Sequence, residues 1–157
     1  MIVVVMGVSG SGKTTIGRLL ARHLGCEFIE GDDFHPLQNV AKMAAGTPLD
    51  DADRRPWLEI LNGKLRQRQA AVLACSALKA AYRKMLSRDL ADCRFVHLRG
   101  DIGLIRARLA RRRHRYMPAS LIESQFAALE PPRDAIEVDV SKNAPQCLEA
   151  IVARLAD

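Results

Sequence analysis

Aromatic residues are scarce in this chain: one Trp, two Tyr and four Phe among 157 residues. A core of ordinary size must then be built from Leu, Ile, Val and Ala, and few side chains are left to stack on the bases of a single-stranded nucleic acid. Cysteine is also sparse. Cys26, Cys75, Cys93 and Cys147 form no C-x-x-C pair and make no four-ligand pattern with the histidines, which argues against zinc and against a redox dithiol; they read as small buried hydrophobes. No apolar stretch approaches the ~18 residues needed to span a bilayer, and the apolar run at Ile2 has no basic lead-in. A soluble, cytoplasmic protein with no membrane partner is expected. Ten Gly, seven Pro and 27% charged residues exclude collagenous and disordered classes. The length leaves room for one domain, 1–157, with no internal repeat or linker.

Charge is unevenly placed. The formal net charge is +6, and the segment from Arg99 to Arg115 holds seven arginines against one acid, Asp101. That segment accounts for the whole excess. A nucleic-acid binder can concentrate charge in this way, but only Tyr116 at the edge of the run could stack, so no nucleic-acid partner is expected and a phosphate-handling role stays open.

Ile2 to Met6 is a five-residue, β-branched apolar run of the kind buried on both faces of a sheet. Behind it come glycines, then Ile16, Leu19, Leu20, His23 and Leu24 at helical spacing. Further strands are expected near Glu27–Glu30, Ala71–Cys75, Arg94–Leu98 and Ile136–Val140, alternating with helix-period segments that end on the stripe Leu148, Ile151, Val152, Leu155. Such alternation predicts an α/β fold with a mostly parallel sheet covered on both faces. The Pro- and Asp-rich stretch from Gly46 to Trp57 reads as a surface excursion.

Between the first strand and first helix stands Gly7-Val8-Ser9-Gly10-Ser11-Gly12-Lys13-Thr14, the pattern G-x-x-x-x-G-K-[ST] in the context that gives it meaning. Glycines let the backbone curl with its N–H groups inward, and the helix N-terminus adds about half a positive charge. The loop from Gly7 through Thr15 is therefore the expected cradle for ATP, with Lys13 on the β and γ phosphates and the Thr14 hydroxyl on Mg²⁺. A dinucleotide fingerprint fails, because Thr15 stands where a third small residue is needed.

Many phosphate-loop proteins pair the loop with an apolar strand ending in Asp. The candidate third strand ends Cys75-Ser76 and offers none. Asp32 and Asp33, after the second strand, are the available replacements: an acid beside the metal that orients an acceptor alcohol or takes its proton. Either could instead cap the following turn.

The strings Gly31-Asp-Asp-Phe-His-Pro36, Asn39, Lys42-Met43, Gly46-Thr-Pro-Leu49, Asp51, Asp53-Arg54 and Pro56-Trp57-Leu58 closely resemble the gluconate kinases (gluconokinases). So do Cys75-Ser-Ala-Leu-Lys79 with Tyr82-Arg83, and Ser124-Gln125-Phe126 with Leu129-Glu130. The resemblance implies ATP-dependent phosphorylation of D-gluconate at its terminal hydroxyl. It also implies a three-layer, nucleoside-monophosphate-kinase-like P-loop fold with a five-stranded parallel sheet, a small lid near 108–120, and a homodimer. A polyol carboxylate needs a cation and several polar partners. Arg54, Lys79 and Arg83 are the cations outside the lid, the arginines favoured for bidentate contact; His35 and Asp32 are the hydroxyl partners, with Asp32 also beside the metal. Arg108, Arg111 and Arg112 are the lid arginines expected on phosphate. Where the family commonly carries Gly-His-Phe this chain has His114-Arg115-Tyr116, and no role is carried over. Another hydroxy acid such as shikimate is the alternative acceptor.

Overall fold

The computed structural model describes residues 1–111 and 119–157. Strands β1 (Ile2–Met6), β2 (Glu27–Glu30), β3 (Ala71–Ala74), β4 (Cys93–Arg99) and β5 (Ile136–Asp139) form one sheet in the order β2-β3-β1-β4-β5. Every pairing is parallel, with Val4 opposite Leu73 and Val5 opposite both Ala74 and Val96. The expected strands are found within a residue or so of their ends, and the five-stranded parallel sheet implied by the resemblance is present.

β1 is wholly buried because it is the central strand and is covered on both faces. Its alternation divides it between two cores. Val3 and Val5 pack with Ile16 and Leu20 of α1 (Lys13–Leu24) and Ile151 of α7 (Ala144–Leu155). Ile2, Val4 and Met6 face Trp57, Leu58, Leu61 and Leu65 of α3 (Asp51–Arg66), with Tyr82 and Leu86 of α4 (Ala80–Ser87). Each such fully buried aliphatic side chain contributes about 1.5–3 kcal/mol. Short α2 (Leu37–Ala44), α5 (Ile102–Ala110) and α6 (Ala119–Ala128) complete the helices among the described residues.

The stretch 46–57 corrects the sequence reading. Only its first residues are loop: Asp50 caps α3, accepting from the Asp53 N–H at 2.7 Å while the Asp53 carboxylate accepts from the Asp50 N–H at 3.0 Å. The acids that suggested a surface excursion are a helix start, and Trp57, only 2% exposed, is core.

The chain leaves β1 for β2 on one side of the sheet and reaches β4 on the other. A crevice opens at the carboxyl end of β1, where a ligand of such a sheet is bound. No helix among the described residues is long and apolar enough to cross a membrane.

Candidate active site

The crevice is a cavity of about 640 Å³, and it gathers most of the expected site residues. Ser9, Gly10, Gly12, Lys13, Thr14 and Thr15 line it from the loop; Asp32, Asp33 and His35 line it from the short 3₁₀ turn after β2; Arg54 lines it from α3. Gly7, Val8 and Ser11 lie in the loop beneath this surface and are buried.

Local geometry shapes the loop for an anion. Gly12 caps α1 in the left-handed region, φ 98°, which glycine adopts without strain. The first turn of α1 contains no acid, so its free N–H groups and dipole stay available to a polyanion. The Lys13 ammonium bends over the loop and donates to the Gly7 and Val8 carbonyls, each at 3.0 Å. From the far side Gln125 of α6 grips the loop: its Oε1 accepts from the Ser9 N–H at 2.7 Å and its Nε2 donates to Ser9 Oγ at 3.0 Å.

At the cleft floor the Thr14 hydroxyl donates to the carboxylate of Glu30, the last residue of β2. Glu30 lines the cavity and was missed in the sequence. The signal is an acid that ends a strand beside the loop, and the strand that carries it is β2 rather than β3. Two oxygen donors suit a hard divalent cation. Among the described residues no group of three or more His, Cys, Asp or Glu forms a metal cage; Mg²⁺, which keeps waters and phosphate oxygens in its shell, does not require one.

The acceptor side is built around Trp57. Its Nε1 donates to the Gly31 carbonyl at 2.8 Å, and its ring stacks on His35 with centroids 4.0 Å apart and planes at 19°. Gly31 has no room for a side chain, because a Cβ there would lie 2.5 Å from the Ala74 carbonyl oxygen. This close approach sets the turn that carries Asp32 and Asp33. Asp32 is 57% exposed, with its Oδ1 3.6 Å from His35 Nε2.

Of the three expected carboxylate-binding cations, the structure brings two to the cleft region. Arg54 donates to the Leu49 carbonyl and, at 3.2 Å, to the Tyr82 hydroxyl, and its guanidinium lies 5.3 Å from the Tyr82 ring centroid. Beyond it a side cavity of about 440 Å³ is shared by Arg54, Lys79 and Asp51. Lys79 donates to Asp51 at 3.2 Å, and Tyr82 donates to the same carboxylate. Those two bonds, Tyr82 first, hold the Asp51 carboxyl below its usual range; burial, with the bond to Asp51, pushes the Tyr82 phenol up.

Arg83 is not in the cleft. It is buried, donating to the carbonyls of Ala77 at 2.8 Å, Leu78 at 3.1 Å and Glu130 at 2.9 Å, and that burial lowers its pKa. Its place is structural, because backbone carbonyls already occupy its donors. Arg108 likewise turns to the Val140 carbonyl, and neither it nor exposed Arg111 lines the cleft. Arg112 and the string His114-Arg115-Tyr116 lie outside the described residues.

The sequence profile of the shikimate kinase family matches residues 9–144. The gluconokinase of Gluconobacter oxydans is 47% identical over 95% of this chain and 88% of its own. The crystal structure of a gluconokinase from Sinorhizobium meliloti superposes with a TM-score of 0.92 at 40% identity, covering 98% of this chain and 90% of that one. A shikimate kinase from Acinetobacter baumannii, at 23% identity and TM-score 0.64 over 99% of this chain and 92% of its own, shares the fold alone.

Proposed function

The chain belongs to the gluconokinases, within the wider shikimate kinase family, and on that premise we propose that it transfers the terminal phosphoryl group of ATP to the 6-hydroxyl of D-gluconate, giving ADP and 6-phospho-D-gluconate. The hydroxyl oxygen attacks the γ phosphorus, the bond from that phosphorus to the β–γ bridging oxygen breaks, and the hydroxyl proton passes to Asp32. Asp33 is the other carboxylate within the same turn.

The loop amides from Gly7 to Thr15 hold the phosphates, and Lys13 bridges the β and γ groups as charge moves onto the leaving oxygen. Thr14 and Glu30, with Asp32, would hold Mg²⁺, which when bound neutralises phosphate charge and helps keep the reacting oxygens in line. At the acceptor end Arg54 and Lys79 meet the carboxylate, and His35 meets a hydroxyl. We further read 1–157 as a single cytoplasmic kinase domain, with 108–120 as its lid and a homodimer as its assembly. Arg111 and Arg112 are proposed to reach phosphate from that lid. Arg108 would have to exchange the Val140 carbonyl for a phosphate to do so.

The observation that best supports this reading is one cavity carrying the phosphate loop, the Asp32–Asp33 pair and Arg54 together. The test is ADP release by a coupled assay with millimolar gluconate or shikimate and magnesium ATP. Turnover with gluconate and little with shikimate is expected. Folded, ATP-binding protein that turns over shikimate alone, or neither acid, would refute the assignment.

A further inference from the structure

His35 presents two ring nitrogens at the acceptor end of the cleft, and the position of its proton decides which of them can donate. Its neighbours settle that position. Asn39, on α2, is only 1% exposed. Its Nδ2 lies 2.9 Å from the Asp53 carbonyl oxygen and 3.3 Å from His35 Nδ1. A backbone carbonyl can only accept, so the amide must turn its NH₂ group, not its oxygen, toward Asp53. The same NH₂ faces His35 with its second hydrogen, and Nδ1 must therefore offer a lone pair. In the neutral ring the proton then sits on Nε2, the nitrogen 3.6 Å from Asp32 Oδ1.

Two further observations fit this assignment. Stacking on Trp57, itself tied to the Gly31 carbonyl, holds the ring in one plane, and a half-turn that keeps that plane would set a carbon rather than Nδ1 against Asn39. Asn39 Oδ1 is buried without a hydrogen-bond partner. The amide thus spends both donors on acceptors and leaves its own oxygen unpaired, an arrangement that a simple tie between α2 and α3 does not require.

We infer that Asn39 is a positioning residue that holds His35 in its Nε2–H form, so that a donor stands beside the Asp32 carboxylate where the acceptor hydroxyl is to be met. Asn39 does not itself line the cleft. The inference rests on the reading of Asp32 as the group that takes the acceptor's proton.

The test is two-bond ¹H–¹⁵N correlation on the full chain with ¹⁵N-histidine at pH 8, the His35 signal being assigned by its loss in His35→Gln. We expect protonated Nε2 and bare Nδ1. In Asn39→Asp the carboxylate can only accept, so the proton should move to Nδ1, with kcat lower by about 10²-fold and KM for ATP within about twofold. Asn39→Ala, which removes the selecting group with less disturbance to folding, should give a mixture of the two forms. A protonated Nδ1 in the unaltered chain, or variants that keep both the Nε2–H form and full kcat, would overturn the inference. A protonated Nε2 in a chain that fails to turn over gluconate would overturn the proposed function and leave the proton assignment standing.

Discussion

Replacing Gly31 by Ala probes the join between fold and chemistry. The new Cβ would lie 2.5 Å from the Ala74 carbonyl oxygen, where ordinary contact begins at 3.4 Å. Ala74 belongs to β3, paired on one side with β1 and on the other with β2, so it cannot easily give way and the turn must move instead. Overpacking of this kind costs about 1–3 kcal/mol. In a chain of this size each kcal/mol lowers the melting temperature by about 2–4 °C, so a fall of roughly 2–12 °C is expected. The Gly31 carbonyl also holds Trp57, and Asp32 is the next residue. A shift approaching 1 Å in that turn should lower kcat by about 10²-fold. ATP affinity should be nearly unchanged, since the loop hangs from β1. Thermal melts, ATP calorimetry and steady-state kinetics read the three effects. A destabilised variant with full kcat would show that this turn does not position the reacting carboxylate.

Lys13→Ala should abolish phosphoryl transfer with an unchanged circular dichroism spectrum, and an unfolded variant would make Lys13 structural. Asp32→Asn should lower kcat more than ATP affinity; full activity would pass the role to Asp33. Arg83→Ala takes a donor from the Ala77 and Glu130 carbonyls, while Leu78 keeps the Glu130 N–H, and should cost about 2–3 kcal/mol or more with the gluconate KM kept, whereas Arg54→Ala should raise that KM with little change in melting. The reverse pattern would restore Arg83 as the carboxylate partner. His97 on β4 is buried, and burial lowers its pKa. Below about pH 6.5, the ordinary histidine value, the unfolded chain then binds more protons than the folded one, so stability should fall as pH drops. His97→Asn should flatten the melting temperature between pH 7 and 5; an unchanged slope would assign the acid sensitivity to other groups.

The strands were legible because β-branched runs buried on both faces carry their own signal, and β1 lies where Ile2–Met6 predicted it. The loop was legible because glycine spacing, Lys13 and Thr14 have few other uses together. Less could be read where one composition serves two structures. Asp50 and Asp53 look like surface loop until they are seen capping each other across a helix start. Arg83 looks like a ligand cation, since a sequence does not say whether a guanidinium will meet a carboxylate or three backbone carbonyls. Glu30, Asn39 and Trp57 were in view as letters, but their roles depend on contacts between segments that only the folded chain brings together.

The grip of Gln125 on Ser9 has a practical corollary. The residues that spell the nucleotide motif occupy the first tenth of the chain, but one of their amides is seated by a side chain 116 positions later. A fragment cut before α6 would keep the signature intact and lose that seat, along with β5. Anyone transplanting this loop into a new scaffold would need to carry a surrogate for that distant amide as well.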